Sequence, residues 1–319
     1  MEDINKFITD RVLSLKIEAD SLNPNEKITF RLMEDEKLTK SSAGAATQRN
    51  IIFYNPKWIT EAMLAHELLH IILNRSGWPE VISLVPSNSD NFSKRLADTI
   101  DNLFDHFNFY KRFTELGLDD SIYRDWFVRK IKNWPKLPEK DSPELLWNAF
   151  NILEAIIFGD PYRNIAIAAT RNKCPKALAL ALRFEGVFLN ASDHSMETTR
   201  LAILKLIDML ENLINHQARS EIRLKERIGV SPLFSENDLS QPTTFLLIPL
   251  SRFTEFTNMK MWILSVILKS DQSHIYSYCV PDATYEIPQL SEIRRKMRSL
   301  DLKTFLDSEK IKYGVIGIK

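Results

Sequence analysis

The sequence predicts an α+β protein, mostly helical with a small sheet. Three observations carry this expectation. Only 8 of the 319 residues are glycine, so tight turns are scarce. Long segments such as 144–158 and 197–226 carry apolar residues at helical spacing with no glycine or proline. Short runs such as 27–33 and 273–280 alternate apolar and polar residues, as half-buried strands do.

Taken in order, residues 3–19 set Ile4, Phe7, Ile8, Val12, Leu13 and Leu15 on one apolar side and read as a helix. Lys27 to Met33 reads as a strand, and 40–48, rich in Ser, Ala and Gly, as a turn or loop. Asn50 to Pro56 reads as a short strand closed by a turn. Thr60 to Leu73 contains good helix formers, with Thr60 as cap, Glu61 in the first turn, and Gly77 and Pro79 as the stop. Ser83 to Asp90 is a loop; Leu96 to Phe113 is a helix with Leu96, Ile100, Leu103, Phe104 and Phe107 on one side. A further helix is expected over 119–132. Three prolines within 133–143 mark the best boundary, because proline cannot continue a helix. Beyond it come helices at 143–158, 176–189 and 197–226.

The last part changes character. Phe245 to Leu250 is apolar, with Pro249 demoting it to an edge strand. Met261 to Leu268 is a buried strand or a helix. Ser273 to Val280 is a strand, Ile293 to Lys303 a basic helix, and Tyr313 to Ile318 a final strand. Residues 141–232 thus read as a helical domain and 235–319 as a small α+β module.

The 42 basic and 42 acidic residues balance, so charge draws this chain neither to nucleic acid nor to an anionic membrane. No apolar run approaches the roughly 20 residues that span a bilayer. The N-terminus, Met1-Glu2-Asp3-Ile4-Asn5-Lys6, is too polar for a secretion signal, and Cys174 and Cys279 lack paired spacing. A cytoplasmic setting is expected.

The chemistry lies in His66-Glu67-Leu68-Leu69-His70, which has the spacing H-E-x-x-H. On a helix, residues four apart share a face, so both imidazoles can reach one metal ion. Glu67 stands where its carboxylate can hold and deprotonate a metal-bound water. A strand at 50–55 followed by this helix resembles the zincin metallopeptidases, whose strand edge pairs with an extended peptide. The resemblance covers residues 50–117, about a fifth of the chain. It implies a zincin-like domain over 1–135, a Zn2+ cofactor on His66 and His70, Glu67 as general base, and a peptide or protein substrate.

Catalytic zinc usually takes a third protein ligand. The continuation used by metzincins is absent: Leu73 and Ser76 occupy its glycine and histidine positions. The next helix is the natural source. His106 lies about 100° from the centre of the apolar stripe there, at its border. Asp105 and Asp101 are the alternatives, and the aspartates can instead orient the histidines from behind. Tyr110, one turn after His106, is a candidate oxyanion donor, and Tyr54 on the presumed edge strand is open. Two functional classes follow: a zinc peptidase, or a metal-holding regulatory or interaction protein with little turnover.

Overall fold

The computed structural model describes residues 4–33, 45–48, 50–85, 91–119, 121–134, 143–218, 223–256, 259–281 and 288–316. The proline-rich boundary at 133–143 falls largely outside them. So do most of the loops expected at 40–48 and 83–90, and the end of the strand expected at 313–318.

The protein is mostly helical with small sheets. The chain condenses into two compact units. Unit 1 comprises 1–76, 105–138 and 151–178; unit 2 comprises 77–104, 139–150 and 179–319. Among the described residues no helix is long and apolar enough to cross a membrane.

Unit 1 opens with a short 3-10 helix (Ile4–Phe7) and then helix α1 (Asp10–Leu22), capped by Thr9, in place of the one helix expected over 3–19; the buried side of α1 is Val12, Leu15 and Ala19. Three strands follow, β1 (Thr29–Leu32), β2 (Ala45–Gln48) and β3 (Ile51–Tyr54), in the sheet order β1-β3-β2. Strand β3 runs parallel to β1 and antiparallel to β2. It is therefore the central strand, not the edge that the sequence suggested. The edge near the motif helix is β2, expected to be loop. Its residues, Ala-Ala-Thr-Gln, have little intrinsic strand preference; pairing with the apolar Ile-Ile-Phe-Tyr of β3 supplies the order.

Helix α2 (Glu61–Arg75) carries the motif. The Thr60 hydroxyl accepts from Met63 N at 3.2 Å and caps it. Helix α1 grips α2 at both ends. Arg11 makes a bidentate bond to Glu61, at 2.8 and 2.9 Å, and Arg75 donates to Ala19 O at 2.6 Å. The two helices thus run side by side in the same direction. After β4 (Val81–Ser83), in unit 2, helix α3 (Asn91–Glu115) extends into unit 1. Helix α4 (Ser121–Lys132) packs on α6 (Tyr162–Thr170), a helix the sequence reading missed. Between them is α5 (Pro143–Ile157).

In unit 2, α7 (Pro175–Phe188) and α8 (Met196–Ala218) lead to β5 (Ile228–Val230) and β6 (Leu233–Ser235). Strand β5 pairs with β4. Strands β7 (Leu247–Phe256), β8 (Met259–Leu268) and β9 (His274–Pro281) form an antiparallel meander. The segment left open as strand or helix is β8, and Pro249 sits on edge strand β7, where its missing N–H is tolerated. The basic segment 293–303 falls on two helices, α9 (Pro288–Ser299) and α10 (Leu302–Glu309). The break is made by Asp301, whose carboxylate caps α10 at Thr304 N, 2.9 Å. These elements enclose a core that includes Phe234, Leu264, Met297 and Phe305. Strand β10 (Gly314–Ile316) closes the module by pairing in parallel with β6.

Candidate metal centre

Every group of this site lies in unit 1. Helix α2 presents His66 and His70 one turn apart, with their Nε2 atoms 3.2 Å from each other. Helix α3 presents His106, whose Nε2 lies 3.2 Å from His66 Nε2. One ligand atom from each of the three residues falls within 4.8 Å of the others. His106 is buried, 1 % exposed.

Two carboxylates sit behind the rings. Asp105 Oδ2 lies 2.8 Å from His70 Nδ1. Glu154 on α5 bonds His106 Nδ1 and is itself buried. Asp105 therefore sits behind a ring rather than beside the Nε2 atoms. Asp101 accepts from Val81 N at 2.7 Å, within unit 2, and is not brought to the histidines.

The electrostatics follow from this enclosure. Burial, helped by the neighbouring imidazoles, pushes His66 well below the usual histidine range. Burial does the same to His106. For His70 burial also disfavours charge, but the hydrogen bond and charge of Asp105 outweigh it, and the net shift is upward. Burial pushes Glu154 up to about 8, against the opposing pull of His70 and of Tyr110.

Protons satisfy this cluster poorly. The single in-plane site of His66 Nε2 faces two other ring nitrogens at 3.2 Å, and one lone pair or one N–H cannot serve both with good geometry. A cation can. Nitrogens about 2.0–2.1 Å from a tetrahedral zinc stand about 3.3–3.4 Å apart, close to the two separations found here.

Glu67 lies next to this cluster. Its Oε2 accepts from the Thr47 hydroxyl at 2.5 Å, so strand β2 holds it from the side. Phe109, one turn after His106 on α3, sets its ring edgewise against all three imidazoles, with centroids 5.1, 4.9 and 5.4 Å from His66, His70 and His106. Tyr110 tilts over His106 at 5.2 Å and is buried. Tyr54 ends β3, paired with Leu32 and Ala45.

The sequence reading passed over Thr47, Phe109 and Glu154. Glu154 left a signal, a lone acid inside the apolar run Ile152-Leu153-Glu154-Ala155-Ile156. Thr47 and Phe109 left none.

Compared with protein-family models, curated proteins and solved structures, the chain matches none.

Proposed function

We propose that this protein is a zinc-dependent hydrolase of peptide bonds, with the metal on His66, His70 and His106 and Glu67 as general base. The observation that carries the reading is the gathering of three imidazoles, one ligand atom of each within 4.8 Å of the others, beside the Glu67 carboxylate. An all-imidazole donor set suits zinc. When bound, zinc supplies a Lewis acid and a water acidified to near neutrality.

The chain's own groups do the rest. Helix α2 fixes His66 and His70 in register, and the carboxylate behind His70 turns its far nitrogen away from the shared point. Thr47 engages one oxygen of Glu67 and limits its rotation. Proton transfer then falls to Oε1, which takes the proton from the attacking water and passes it to the departing amine. The Phe109 ring walls one side of the three imidazoles. A peptide or protein is the substrate class, since this chemistry acts on amide carbonyls.

The test is metal content by plasma mass spectrometry on wild type and His106→Ala, with hydrolysis of labelled casein measured beside Glu67→Gln. About one zinc per wild-type chain, lost in His106→Ala, is expected. Casein cleavage should fall by about 10²–10⁴-fold in Glu67→Gln while zinc is retained. A wild type that takes up no zinc, or a Glu67→Gln protein that cleaves as fast, would sink the proposal.

A further inference from the structure

Glu154 plays no part in the hydrolytic chemistry above, yet among the described residues it is the only buried acid. It stands on α5 between Leu153 and Ala155, both fully buried. A carboxylate so placed is costly unless its oxygens are engaged. One of them is engaged by His106 Nδ1.

We infer that Glu154 is a positioning residue of the metal centre: it fixes the ring plane and tautomer of His106, so that Nε2 faces the point shared with His66 and His70. The inference rests on the metal-site reading proposed above. Three pieces of geometry support it. First, His106 and Glu154 are 48 residues apart and come from different helices, so their pairing is a product of the fold and not of helical proximity. Second, His106 has no slack, because Tyr110 covers it at 5.2 Å and Phe109 abuts it at 5.4 Å. Third, the nitrogen that Glu154 bonds is Nδ1, which leaves His106 Nε2 as the atom 3.2 Å from His66 Nε2.

The two carboxylates differ in one respect that makes the inference testable. The Asp105 side chain is 20 % exposed, and that of Glu154 is 6 % exposed. Water can replace a lost Asp105 oxygen behind His70 but cannot reach the place of Glu154. Loss of the Glu154 charge should therefore cost more metal affinity than loss of the Asp105 charge.

The experiment is titration of the full-length metal-free protein with Co2+, read by its visible ligand-field absorption. Wild type, Glu154→Gln, Asp105→Asn and Tyr110→Phe are compared, with near-ultraviolet circular dichroism and thermal melting as controls for folding. Glu154→Gln keeps the shape and removes the charge. It should weaken Co2+ binding on the order of 10–100-fold and alter the absorption bands, with melting unchanged. Asp105→Asn should weaken binding less. Tyr110→Phe, which removes a hydroxyl that favours the charged form of Glu154, should weaken it slightly, and it decides the matter if Glu154→Gln does not fold. A folded Glu154→Gln protein with wild-type affinity and spectrum overturns the inference and leaves the metal site standing. So does Asp105→Asn equal to or worse than Glu154→Gln, and so does Tyr110→Phe indistinguishable from wild type where Glu154→Gln is unfolded. A folded wild type that binds no Co2+ overturns the metal reading, and this inference with it.

Discussion

Phe109 shows how much of the centre depends on a residue with no chemistry of its own. Its ring meets three imidazoles edge-on, and 2 % of it is exposed. Truncation to alanine would leave a void against polar rings that water could enter only by disturbing them. Phe109→Ala is expected to lose about 3–5 kcal/mol of stability, and Phe109→Leu markedly less, both measured by urea unfolding. A loss below about 1 kcal/mol in the alanine variant would mean that the neighbouring side chains close over the space. Legibility at this scale tracks the strength of local rules. The pairing of His66 with His70 follows from helical spacing alone. His106 was suggested by its distance from an apolar stripe, which set a direction and not a depth; the actual depth reflects α5, which no local pattern announces. At the sequence scale Asp101, on the far flank of that stripe, and Asp105, nearly opposite it, both stood as alternatives to His106. Only packing distinguishes the one that meets His70 from the one that holds a backbone N–H.

Elements were readable where periodicity was strong and unreadable where pairing decided the outcome. The helices at 61–75, 143–157, 175–188 and 196–218 follow apolar spacing and caps in the sequence. Strand β2 does not, since four small or polar residues become a strand only beside β3. Strands β4, β5 and β6, three residues each, are too short for any alternation to register. The closure of β10 illustrates the same dependence on partners. A Cβ built on Gly314 would lie 2.2 Å from Gly77 O and 2.6 Å from a Leu233 methyl. Gly77 itself adopts φ +78°, in the left-handed region that glycine tolerates best. Gly314→Ala should therefore cost about 1–3 kcal/mol by overpacking, seen as a lowered melting temperature. An unchanged melting temperature would show that β10 does not dock on the Gly77 turn.

At the scale of the whole molecule, unit 2 is held by a polar knot of its own. Arg200, with its side chain 7 % exposed, donates to Ser231 O at 3.0 Å and to the Ser273 hydroxyl at 2.7 Å, and pairs with Asp271. Burial pushes the Asp271 carboxyl up, but Ser273 and Arg200 override it and hold it below its ordinary value of 3.8. A carboxyl depressed in the folded state contributes stability above its unfolded value and loses it as pH falls through the folded one. Wild type should thus melt higher than Asp271→Asn at about pH 6, with the gap closing below about pH 3. A gap that does not change with pH would mean the charge is not the source. Unit 1 is assembled differently, because its histidine cluster draws on Thr47, on 66–70, on 105–110 and on Glu154. The five-residue motif is therefore not a portable module. Grafted alone onto another helix, it would take with it two imidazoles and Glu67, and leave behind the third imidazole and the acids behind His70 and His106. The residues gathered at the cluster are spread along the chain from Thr47 to Glu154, so what would be inherited or exchanged is the meeting of one strand and three helices rather than any one of them.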